Sequence, residues 1–76
     1  MLSPCQCRMA RAAVRLSRPK FAERARISVA NLADFELGKR TPYDRTPRDV
    51  QNTFEQLGVI FLERDEHGKG VRMRHE

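Results

Sequence analysis

Apolar positions recur with a helical period along most of the chain, then switch to a strand-like period near its end. Ser3 stands before Pro4, and Gln6 follows three residues after the serine, the pattern of a capped helix start. Cys7, Arg11 and Val14 then share one face at spacings of four and three, and the segment ends at Leu16. Ser17 caps a second segment, "RPKFAERA", whose Pro19 falls in the first turn, where backbone donors lack partners anyway. Phe21, Ala22 and Ala25 form its inward face. After a tight connection at Arg26 and Ile27, Ser28 caps a third helix that buries Leu32 and Phe35 and stops at Gly38.

A basic loop, "KRTPYDRTP", leads to Thr46 and Pro47, which repeat the cap-and-proline opening. Val50, Phe54 and Leu57 mark the face of this fourth helix, and Gly58 closes it. The period then changes: "VIFLE" favours a strand, "RDEHGKG" a polar turn, and "VRMR" alternates apolar with basic. The pattern predicts a mainly α domain of about four short helices over residues 1–58. Residues 59–76 form a C-terminal β-hairpin extension of the same domain.

In "VIFLE", Val59 and Phe61 point one way, toward the last helix near Phe54, whereas Ile60 and Leu62 point the other way and are apolar too. A chain of 76 residues buries only about 60% of the surface its unfolded form exposes, so its core is marginal. A strand with two apolar faces is therefore expected to be covered by a symmetry mate. The expected homodimer joint comprises Ile60, Leu62, Val71 and Met73. The competing reading has Val71 and Met73 supply pairing only, with the last helix wrapping the rest within one monomer.

Composition narrows the function. No apolar run approaches the ~20 residues of a membrane span, and the first residues, "MLSPCQCRMARAAV", carry no signal-peptide core, so a cytoplasmic location at the nucleoid is expected. Cys5 and Cys7 are too close to staple the fold, and no other cysteine completes a zinc site. His67 and His75 lie in a charged tail. No metal, cofactor or small-molecule ligand is expected. Catalysis is not expected either: no nucleophile stands beside a histidine, no glycine-rich cradle is present, and Arg64, Asp65, Glu66 and His67 read as a solvated turn.

Charge points to a partner. Residues 1–48 carry 11 Lys/Arg against 4 Asp/Glu, while residues 49–76 carry 4 against 6. A basic front half suits a polyanion. The second and third helices, short and joined by a few residues before a basic loop, fit a helix-turn-helix.

The stretch "LSRPKFAERARISVANLADFELGKRTP" resembles the XRE family of phage repressor and Cro-type regulators. The resemblance rests on Leu16, Ser17, Phe21 to Ala25, Ile27, Ser28, Leu32, Phe35, Glu36, Gly38 and Lys39, together with Arg11. It implies a lambda-repressor-like fold and a sequence-specific duplex-DNA-binding transcriptional regulator, a repressor by preference, with the third helix in the major groove. The positions of Ser28, Val29, Ala30 and Asp34 would face base edges, Arg18 would meet a phosphate, and Lys39 and Arg40 would grip the backbone. Arg11 and Glu36 would form a partly buried ion pair tying the first helix to the third.

The chain departs from the family pattern at two positions. Arg18 replaces a frequent glutamine, and Arg26 replaces a frequent glycine, which asks an arginine to turn left-handed. Val29 and Ala30 cannot hydrogen-bond to bases but can pack on thymine methyl groups, and Asn31 can pair with adenine. Asp34 can accept from cytosine or pair with Arg18 across the two helices. Modest base specificity is expected, with phosphates supplying much of the affinity. The alternative is a protein-interaction module, an antitoxin or anti-activator, on the same fold.

Overall fold

The computed structural model describes residues 2–39 and 46–74. Its elements run α1 (Pro4–Val14), α2 (Arg18–Ala25), α3 (Val29–Glu36), α4 (Thr46–Gln56), β1 (Val59–Asp65) and β2 (Gly68–Met73). This is the expected mainly α chain with a C-terminal hairpin. The loop containing Arg40 lies outside the described residues.

Each of the first three helices starts at a serine in extended conformation. The hydroxyls of Ser3, Ser17 and Ser28 accept from the backbone N–H of Gln6, Lys20 and Asn31 at 3.1, 3.4 and 3.0 Å. Each satisfies one of the donors that a helix start leaves unpaired.

The same helices end by a shared device. Arg15, Arg26 and Gly38 take left-handed φ values of 59°, 58° and 79°. After each, the chain folds back through two bonds. Leu16 N–H donates to the Arg11 carbonyl (3.1 Å) and Arg15 N–H to Ala12 (3.2 Å); Ile27 pairs with Ala22 (3.0 Å) and Arg26 with Glu23 (3.3 Å). At the third, Lys39 pairs with Asp34 (2.9 Å) and Gly38 with Phe35 (3.0 Å). This Schellman closure satisfies carbonyls at the helix end, and glycine is its usual pivot. Two arginines fill that role here. Their Cβ atoms make the conformation costly, but the paired bonds offset that, and Leu16 and Ile27 pack on the core immediately afterwards. The turn between α2 and α3 is tight without a glycine.

The core gathers Leu2, Cys7, Ala10, Phe21, Ala22, Ala25, Leu32, Val50, Phe54 and Val59. Phe21 of α2 stacks on Phe54 of α4 with ring centroids 4.0 Å apart, and Phe54 meets the Phe61 ring edge-on at 6.0 Å. This aromatic run links helix, helix and strand, as the expected packing of Val59 and Phe61 near Phe54 requires.

The two strands pair antiparallel with Val59 opposite Met73, Ile60 opposite Arg72, Phe61 opposite Val71 and Leu62 opposite Gly70. Because side chains alternate, Val59, Phe61, Val71 and Met73 share one face, and that face packs on the core. Val71 and Met73 thus turn inward. Of the four residues expected at a dimer joint, only Ile60 and Leu62 stand on the outward face.

A two-stranded ribbon needs support, and Gln6 supplies part of it. Its side chain is buried, and its Oε1 accepts from Ser3 N–H at 2.8 Å, completing the expected capping box. Its Nε2 donates to the Leu62 and Gly70 carbonyls at 3.0 and 2.9 Å, one on each strand. One side chain caps α1 and pins both strands to it. Nearby, Leu2 N–H donates to Gln51 Oε1 at 3.1 Å, tying the front of the chain to α4. Gln6→Ala strips three part-buried groups of a partner, so a loss of about 2 kcal/mol is expected in urea unfolding. A loss below ~0.5 kcal/mol, the scale of ordinary surface changes, would show that apolar contacts alone hold the hairpin.

Candidate nucleic-acid interface

Glu36 lies in the last turn of α3, where a carboxylate meets the negative end of the helix dipole. Its side chain is wholly buried. A charge placed there demands strong partners, and two helices provide them. Arg11 of α1 grips it with one edge of its guanidinium, Nε to Oε2 at 2.6 Å and Nη2 to Oε1 at 3.0 Å. Arg18, at the front of α2, adds Nε to Oε1 at 2.9 Å. Cys7 donates its thiol to Oε2 at 3.3 Å, and Arg8 donates through Nη1 to the Glu36 backbone carbonyl. Arg11 also reaches the Leu16 carbonyl at 3.2 Å, bracing the turn into α2. The expected pair of Arg11 and Glu36 is present, and it is the middle of a larger cluster.

This cluster sets the protonation of its members. Burial alone would push the Glu36 carboxyl up, but hydrogen bonds from Arg11, Arg18 and Cys7 outweigh burial and hold it below its ordinary value. The bond to Glu36 correspondingly raises Arg11. Burial, reinforced by the charge of Glu36, drives the Cys7 thiol far upward, so it stays protonated and serves as a donor. Cys5 is exposed.

The positions expected to face bases lie at the start of α3, ahead of this anchor along the chain. Ser28, Val29, Ala30 and Asn31 are all exposed at the start of α3. Ser28 Oγ already accepts the Asn31 N–H as a cap. Asp34 does not pair with Arg18: Glu36 takes Arg18, and Asp34 sits 3.7 Å from Lys39 Nζ instead. A wholly buried carboxylate outcompetes a half-exposed one for a guanidinium, because water already screens the latter. Arg18 keeps its side chain 36% exposed while bound through Nε, which leaves part of its guanidinium open to solvent.

The structure therefore brings together Arg11, Arg18 and Glu36, and places Ser28, Val29, Ala30, Asn31, Asp34 and Lys39 along and after α3. Arg8 joins the basic end of this surface without having been singled out in the sequence. Its position three residues before Arg11 puts both on one face of α1, and that spacing is the signal that could have found it. Among the described residues no group of acidic, cysteine and histidine side chains could hold a metal ion, and no helix is long and apolar enough to cross a membrane.

Removing Arg11 strands a buried charge, although Arg18 remains beside it. Arg11→Ala is expected to lose about 3 kcal/mol, the lower end for a broken buried pair, measured by urea unfolding. A lowered carboxyl stabilises the fold fully above its unfolded pKa of ~4.3, and that stability is lost as pH falls toward the folded value. Glu36→Gln should consequently flatten the fall in stability below pH ~4.3; an unchanged acid limb in a pH series of urea midpoints would contradict the assignment.

No family model matches the chain, and no curated protein matches it.

Proposed function

We propose that the chain is a sequence-specific binder of double-stranded DNA, a transcriptional regulator of the phage repressor and Cro type, acting as a repressor at the nucleoid. In this reading α3 lies in the major groove with Ser28, Val29, Ala30 and Asn31 toward base edges. The observation that carries it is the contrast between the two sides of α3. Its rear is anchored by a wholly buried Glu36, and its front is open, with Arg8, Arg18 and Lys39 gathered at one end. A rigid helix with a free face and cations at its margin is what reading a groove beside phosphates requires. The basic front half of the chain fits the same partner.

Arg18, Lys39 and Arg40 are the proposed phosphate contacts, the last by the resemblance alone. Arg18→Ala and Lys39→Ala should each weaken binding to all duplexes about equally and flatten the dependence of log affinity on log salt by about one unit. Fluorescence anisotropy over a salt series checks this, with thermal unfolding alongside, because Arg18 also holds Glu36. A changed sequence preference with an untouched slope would remove the phosphate role.

One module offers few base contacts, so two-fold pairing on half-sites ~34 Å apart completes the proposal. Ile60, 37% exposed, and Leu62 beside it form the outward apolar strip of β1 that a second copy would cover. Ile60→Lys with Leu62→Lys should give a folded monomer that loses affinity for palindromic sites but keeps weak, salt-sensitive binding. Sedimentation of the unmodified protein as a monomer at micromolar concentration, even on DNA, would defeat the dimer.

The exposed apolar residues Val29 and Leu37 favour one second reading, a protein-interaction module such as an antitoxin or anti-activator. Salt separates the two: phosphate-driven binding falls steeply as salt rises, whereas an apolar interface holds.

A further inference from the structure

The free face of α3 is divided in a way that bears on which duplexes it selects. At 100° per residue, Val29, Ala33, Leu37 and Ala30 occupy one continuous arc, Asp34 and Asn31 the next, and the half-buried Phe35 with the buried Leu32 and Glu36 the remainder. Leu37 is 64% exposed and Val29 44%, the two most exposed large apolar side chains among the described residues. Little on this face is left to hydrogen-bond with a base. Ser28 Oγ is engaged as a cap and Asp34 is beside Lys39, so Asn31 is the one uncommitted amide. A charged margin borders the apolar arc, with Lys39 next along the chain and Arg8 on the Glu36 carbonyl.

We infer that α3 selects its sites by the C5 methyl groups of pyrimidines, with Val29, Ala30, Ala33 and Leu37 as the methyl-reading surface. The inference rests on the DNA-binding reading above and names its specificity. In the major groove thymine alone among the four bases presents a methyl group, and an aliphatic side chain rewards that methyl by burial, with no directional bond. The bordering cations favour a polyanion as the occupant, in keeping with the basic front half of the chain. Sites are therefore rich in thymine at the positions facing α3, and a methylated cytosine there substitutes in part for thymine.

The test starts from a random duplex pool selected on the whole chain. The enriched duplex is remade with each thymine in turn replaced by uracil, which pairs identically and lacks only the methyl, and with 5-methylcytosine replacing uracil at the sensitive positions. Binding is expected to weaken about fourfold for each contacted methyl removed, by the burial of one methyl-sized group, and to recover in part with 5-methylcytosine. Leu37→Ala, at a site too exposed to affect folding, should abolish the uracil effect at one position while Val29→Ala abolishes it at another.

An enriched duplex indifferent to uracil, or sensitivities untouched by both variants, would overturn this inference and leave DNA binding standing. A pool without any enriched duplex would overturn both. Concentration-dependent self-association that Leu37→Ala abolishes would assign the arc to a second copy and also overturn the inference.

Discussion

A carboxylate without water must be surrounded by donors, and Glu36 is the residue on which that demand falls. Burying an ion costs several kcal/mol even after relaxation, and its place in the last turn of α3 adds an unfavourable dipole. Neither penalty can be met from within α3. Arg11 and Cys7 come from α1, Arg18 from the start of α2, and Arg8 closes over the backbone carbonyl. Three helices are thereby held in one mutual arrangement by a single side chain. A small apolar core specifies contact but little direction, whereas a bidentate guanidinium pair fixes distance and angle together.

That inward demand explains the outward surface. With Leu32, Phe35 and Glu36 committed to the interior side, α3 presents Val29, Ala30, Asn31 and Leu37 to solvent. Arg18 sits between the two roles, bonded to Glu36 yet partly open, so the same guanidinium that holds the helices stands at the edge of the free face. The hairpin solves a separate problem. It closes the far side of the core through Phe61, Val59, Val71 and Met73, and Gln6 locks it to the first turn of α1.

Short-range signals made most of this legible in the sequence. The serine caps, the helix end at Gly38 and the strand period after Gly58 all depend on residues within a few positions of one another, whereas the left-handed turn at Arg26 came from comparison with the family pattern. The pair of Arg11 and Glu36 came through the family resemblance, since nothing local distinguishes it from two exposed charges. Longer-range competition hid the rest. Whether Arg18 would choose Asp34 or Glu36 depends on which acid is buried, a property of the packed chain. Gln6 reads locally as half of a capping box, and its bonds to strands more than fifty residues away leave no periodic trace. Val71 and Met73 required the register of the hairpin before their face was known.

The division of α3 into an anchored rear and an open front, and the proposed role of that front, can be tested directly by mapping backbone amide shifts of the isotopically labelled chain as a duplex is added. Shifts concentrated at Ser28 to Asn31, Leu37 to Lys39, Arg8 and Arg18, with β1 and β2 changing only when two copies meet on a palindrome, are the expected result. Shifts centred on the hairpin of a single bound copy, or an α3 that does not respond to any duplex, would contradict it.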